Sequence, residues 1–206
     1  MSGILEQTRK RFSDRLVDLI DILFAVVVGT SISTAFANNP IQRLPSLYEV
    51  ITLPNMSLII AYAAVILSWV GYHRMMEVNP YTPNRWGYSR FGIDVVIVFV
   101  YTFLIYSREI FSIFLFIFPI IFLLYAFGGI IRNKEYKKRV SWPKVSLKYT
   151  FLFLLDWGIY FAWDSLRPSY AFLESIPTSW ILCFLTLACL FYYRWQREKR
   201  GFLMRA

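Results

Sequence analysis

Six apolar runs of roughly membrane-crossing length divide this 206-residue chain, and short bursts of Lys and Arg separate them. The runs are Leu16 to Ala37, Met56 to His73, Phe91 to Ser107, Ile110 to Ile131, Leu147 to Trp163, and Thr178 to Tyr193. A bilayer core needs about 20 predominantly apolar residues per helix, within a range of roughly 17 to 25. Lipid offers no partner to an exposed backbone amide, so each run is predicted to be a helix. Only Arg108 and Glu109 stand between the third and fourth runs, which predicts a tight hairpin there. The expected fold class is an all-α integral membrane protein, one transmembrane domain over residues 1–206.

Composition supports this reading, at 57% hydrophobic and 17% charged residues. One soluble core of this size would not hide so much apolar surface. The formal charge of +9 raises the question of nucleic acid. A phosphate backbone is gripped by a basic patch or stripe on a folded face. Here the bases fall in short connections with no element left over to present them to a groove, so no nucleic-acid partner is expected. With six spans, all but three of the 22 Lys and Arg fall on one side of the membrane, the others being Arg43, Arg108 and Arg167. Basic residues concentrate in cytoplasmic loops. Both termini are therefore predicted to be cytoplasmic in a multi-pass protein of the cell membrane, most naturally a prokaryotic inner membrane. Basic residues, an apolar run and Ala35-Phe36-Ala37 imitate a cleavable signal peptide. Asp18 and Asp21 interrupt that run, which is also longer than such signals usually are, so cleavage is not expected.

Acidic side chains inside spans cost about 2.5 to 3.5 kcal/mol each at a helix centre, which makes them functional candidates. Asp14, Asp18 and Asp21 share one face of the first helix with Ala25 and Val28. Arg15 lies on another line, with Ile22, Val26, Gly29 and Ser33, and with Thr30 and Ala37 close beside it. This narrow stripe suits a pore lining with a hydrophobic constriction at Val26. It equally suits a small-residue seam for helix packing, through Gly29, Ser33 and Ala37. Asp94 and Asp156 sit inside the third and fifth spans, where each can pair with a loop arginine or serve a proton or cation path. His73, the single histidine, closes the second span beside Arg74.

Arg15-Leu16-Val17-Asp18-Leu19-Ile20-Asp21, followed by Ile22-Leu23-Phe24-Ala25, resembles the R-x-x-x-F-S-D signature of the transmembrane protein 175 potassium channels. Trp69-Val70-Gly71-Tyr72-His73-Arg74 resembles that family's Trp-x-x-His-His-Arg segment. Leu19-Ile20 stands where the family has Phe-Ser, and Tyr72 replaces the first histidine. The resemblance implies six helices per chain, cytoplasmic termini and a homotetramer whose first helices surround the pore. It also implies a polar network of Arg15, Asp21, His73 and Arg74, and a constriction at Val26, Gly29, Thr30 and Ser33. Those residues are smaller and less apolar than the Ile or Leu rings the family usually carries.

The expected function is therefore a homotetrameric cation channel, a passive leak for potassium or protons, without a cofactor. The alternative is a membrane-embedded scaffold or effector subunit that binds a cytoplasmic protein through its basic loop (Arg132 to Lys148) and tail. That loop is also placed to meet anionic membrane lipid, at about 1 kcal/mol per charge. A secondary transporter usually shows repeats and broken midplane helices, and neither is visible. An enzyme is not expected, because no zinc-protease, nucleophile-elbow or phosphate-loop motif is present. No Cys/His spacing reads as a metal site. Cys183 and Cys189, six apart on one predicted helix, face different sides, so no disulfide between them is expected.

Overall fold

The computed structural model describes residues 2–38, 52–137, 142–170 and 177–202. Within them the chain is helical and contains no strand. The helices are α1 (Ser2–Asn38), α2 (Leu53–Val78), α3 (Arg85–Tyr106), α4 (Phe111–Tyr136), α5 (Trp142–Leu166) and α6 (Thr178–Phe202). Short 3-10 turns cover Ser107–Glu109 and Arg167–Ser169. The first of these is the hairpin expected between the third and fourth runs.

Four segments are long and apolar enough to cross a membrane: Lys10–Ser33, Leu53–Val78, Arg85–Glu109 and Phe111–Tyr136. The chain is accordingly built to be embedded in lipid. α5 and α6 are weaker candidates for a physical reason. Lys144, Lys148, Asp156 and Asp164 are spread along α5, and Arg194, Arg197, Glu198 and Lys199 load the end of α6. Most helices overrun the predicted spans at their basic ends: α2 runs to Val78 rather than His73, α4 to Tyr136, and α6 to Phe202. An apolar run marks where lipid ends, whereas the backbone ladder continues until a turn signal stops it.

α4 is the central helix, packed most extensively on α5 and then on α3; α1 leans mainly on α3, and α6 on α2 and α5. Phe114, Phe118 and Phe122 of α4 are buried. Phe118 stacks on Phe153 of α5 at 5.2 Å, and Phe122 meets Tyr193 of α6 edge-on at 4.8 Å. Gly129 lets α5 approach, since a Cβ there would lie 3.1 Å from Pro143 Cγ. Pro119, which removes one backbone donor, lies buried inside α4, where neighbouring helices shield the freed carbonyl.

The basic helix ends gather at one end of the bundle. Ser13 of α1 accepts from the Tyr81 amide, Arg74 of α2 pairs with Glu198 of α6, Arg90 of α3 pairs with Glu135 of α4, and Ser146 of α5 bonds Tyr193 of α6. Arg108 and Arg167 sit in the turns at the other end. Among the described residues, the charge asymmetry of the sequence is thus a spatial asymmetry of the fold.

Candidate functional site

α1 has two faces. Ser13, Ile20, Phe24, Val27 and Ser31 are buried, and at about 100° per residue they form one seam against the bundle. Ser31 extends the seam by a 2.8 Å hydrogen bond with Tyr62 of α2. Arg15, Ile22, Val26, Gly29 and Ser33 fall on the opposite side and are all exposed, Val26 by 53%. A Cβ added at Gly29 would meet nothing within 4 Å. Thr30, also exposed, returns its hydroxyl to the Val26 carbonyl at 2.7 Å. Arg15, Ile22, Val26, Gly29 and Ser33 are therefore not buried against the other described residues. Ala37 belongs to α1, but its side chain lies outside the described residues.

Outward faces elsewhere differ in kind. α3 presents Phe99 and Phe103, α5 presents Phe151, Leu155 and Phe161, and α6 presents Phe184 and Phe191. Such bulky apolar side chains suit lipid tails. Small residues at a helix face instead let another backbone come close.

Part of the predicted polar network assembles. Asp21 Oδ1 accepts from Trp69 Nε1 at 2.9 Å and meets His73 Nε2 at 2.8 Å. An ionised carboxylate only accepts, so His73 carries its proton on Nε2 in this contact. The His73 ring is held edge-on to Trp69 at 4.9 Å and to Tyr72 at 5.7 Å. Asp21 and His73 side chains are each 35% exposed. The other two members stand apart. Arg15 is exposed on the far side of α1, because it lies six residues, or about 600°, from Asp21. Arg74 points away from α1 and pairs with Glu198 at 2.5 Å, where Arg194 joins at 2.9 Å. The network is a three-residue clasp between α1 and α2, with Trp69 in place of the arginines.

Asp18 is exposed beside the stripe, as is Asp14. Asp94 accepts a 2.6 Å hydrogen bond from the Tyr81 hydroxyl, an interhelix-loop partner rather than a loop arginine. Asp156 is half-buried in α5, and its Oδ2 has no hydrogen-bond partner. Cys183 and Cys189 are free thiols. Among the described residues no group of three metal-ligating side chains occurs.

A second polar centre was not foreseen. Arg90 and Glu135 form an ion pair at 2.7 Å with side chains 1% and 0% exposed. The segment between α2 and α3 wraps around it. Thr82 gives both its amide (2.8 Å) and its hydroxyl (2.6 Å) to Glu135 Oε1. Arg90 donates to the Asn79 carbonyl at 2.9 Å and lies 4.4 Å from the centre of the Tyr81 ring. Burial pushes the Tyr81 hydroxyl well above its ordinary pKa, so it stays protonated and donates. Asn84 caps α3 by accepting from the amides of Trp86 and Gly87. Gly87 must lack a Cβ, which would collide with the Thr82 carbonyl. One signal was visible beforehand: Glu135 is the single acid in the basic burst from Arg132 to Arg139.

The resemblance to the transmembrane protein 175 channels rests on these motif residues alone. No family model, no curated protein and no solved structure matches the chain.

Proposed function

We propose that copies of this chain assemble around α1 as a homotetramer and pass a cation, potassium or proton, along the outward stripe. The observation that carries the reading is that Ile22, Val26, Gly29 and Ser33 lie opposite the seam by which α1 packs on its own chain. Gly29, Thr30 and Ser33 suit lipid poorly and suit a lumen or a neighbouring helix well. Val26 forms an apolar ring in such an assembly; Arg15 stands on the same line at its basic end, with the exposed Asp14 and Asp18 to one side. Carboxylates near a pore mouth favour cations. The clasp of Asp21, Trp69 and His73 fixes the rotation of α1, and hence which residues face inward. No step of chemistry is required.

Flux through purified protein in planar bilayers tests this directly. Val26→Asn is expected to hydrate the ring and raise conductance or leak, and Val26→Phe to block it with the assembly intact. Unchanged flux in both, with a weakened oligomer, replaces the pore by a close-packed scaffold. Six crossings with both termini in the cytoplasm belong to the same proposal, following the gathered basic ends. Ser169→Cys should then react with an impermeant thiol reagent outside intact cells, and Glu77→Cys should not. The reverse pattern rules out the orientation.

A further inference from the structure

Trp86 stands where two helix ends meet at the basic end of the bundle. Arg85, at the start of α3, places its guanidinium carbon 4.6 Å from the centre of the Trp86 ring. Lys134, near the end of α4, brings its ammonium to 4.9 Å from the same centre. An aromatic face attracts a cation. Two cations held so close nevertheless repel each other, and an anion beside them relieves that repulsion.

Other cations of this end have carboxylates. Arg74 and Arg194 share Glu198, and Arg90 holds Glu135. Glu135 follows Lys134 in sequence, yet its carboxylate turns inward to Arg90 and Thr82. Arg85 and Lys134 are exposed, and neither forms an ion pair among the described residues.

Their height along the bundle matters as much. Arg85 opens one of the membrane-crossing segments, and Lys134 lies in the last turn of the next, Phe111–Tyr136. Both charges therefore stand at the boundary between lipid and water, the level that tryptophan rings also favour. Beneath them the surface turns apolar. At helical spacing, the face of α3 below Arg85 carries Val96, Phe99 and Phe103, and the face of α4 below Lys134 carries Ile130, Phe127 and Leu123. All six are exposed, on two helices that pack against each other.

We propose that Arg85, Trp86 and Lys134 bind the headgroup of one anionic phospholipid, whose acyl chains lie along the apolar faces of α3 and α4. Its phosphate accepts charge-assisted hydrogen bonds from guanidinium and ammonium alike. A soluble phosphate compound would use the two charges but not the apolar faces beneath them. The site is more than the general attraction of a basic loop to an acidic leaflet, because it joins α3 to α4 across one ring. It requires the chain to be in a membrane and stands independently of conduction.

Full-length protein in neutral detergent, at about 0.15 M salt to screen distant charges, is titrated with phosphatidylglycerol or with phosphatidylcholine of the same chains. Native mass spectrometry counts the bound lipid. Phosphatidylglycerol should bind with a clear preference. The double variant Arg85→Gln with Lys134→Gln should weaken it by roughly tenfold or more, as the loss of two charges at the headgroup level implies. Phosphatidylcholine binding should not change. Both positions are exposed, so the unfolding midpoint without lipid should stay where it was. Lys148→Gln with Lys199→Gln removes the same charge from exposed positions on α5 and α6 and should cost much less. Where the first double variant fails to fold, Lys134→Gln alone is compared with Lys199→Gln. Equal losses in variant and control would show that net charge alone attracts the lipid and would overturn the site. No preference for phosphatidylglycerol, or equal binding of glycerophosphoglycerol, which has the headgroup without chains, overturns it as well.

Discussion

The Arg90–Glu135 centre and the outward stripe of α1 are both costly in a membrane protein, for opposite reasons. At the first, two charges are removed from water, and they are met by each other and by neighbouring groups of the same chain. Thr82, Asn79 and the Tyr81 ring complete the pair. At the second, small and hydroxylated residues stand exposed among the described residues. The difference separates a polar feature completed within one chain from an exposed one that the proposed assembly would cover. The clasp at Asp21 lies between these extremes. Its contacts are made within the chain, yet the Asp21 and His73 side chains each remain 35% exposed.

The sharpest way to break this comparison is at the buried pair. Glu135→Gln leaves the Arg90 guanidinium without its counter-charge in a dry site and is expected to destabilise the fold by about 3 to 5 kcal/mol. Arg90→Met combined with Glu135→Leu should recover most of that loss, because an apolar replacement for a buried pair is often near neutral. Denaturation of the variants in detergent reads both numbers. A loss below about 1 kcal/mol for Glu135→Gln would remove this centre from its role as anchor.

Gly29→Leu asks the complementary question with a smaller effect on the chain. The position is open, so the fold should tolerate the side chain and even gain helix propensity of a few tenths to about 1 kcal/mol. Assembly or ion flux should nevertheless fall at least tenfold, because the added bulk fills either the lumen or the contact between copies. Sedimentation in detergent, alongside flux, separates those two outcomes. Normal oligomers with normal current would leave the stripe facing lipid, like Phe151 and Phe184.

Asp21→Asn should have the smallest effect on stability, about 0 to 1 kcal/mol, as expected for a part-exposed pair. The amide keeps an oxygen for Trp69 while losing the charge facing His73. Its consequence should appear in current rather than in unfolding, through the rotation of α1. A loss of several kcal/mol would show that the clasp behaves like the Arg90–Glu135 centre and not as an intermediate case.

Much of this organisation was legible in residue order. Hydropathy marked every helix, since lipid permits no other conformation for a long apolar run. The bursts of Lys and Arg predicted a basic end. Helical spacing alone placed Ile22, Val26, Gly29 and Ser33 on one line, and motif resemblance joined Asp21 to His73. Arg15 and Arg74 were misplaced in that network because a motif preserves spacing along the chain and says nothing of neighbours. Arg15 lies on the wrong side of its helix, and Arg74 found Glu198, a residue 124 positions away.

What the sequence by itself determined, then, is the set of helices, their lipid affinity and the faces each one carries. These follow from backbone hydrogen bonding and a fixed turn per residue, which need no neighbour. Only the tertiary structure decided which face of α1 is used within the chain, that Trp69 completes the clasp, and that Arg90 and Glu135 meet in a dry interior. It alone brought Arg85 and Lys134 to one tryptophan ring. Those are pairings between distant segments, and a buried charge accepts whichever partner packing delivers to it. The chemistry of each residue was readable in advance, but its company was not.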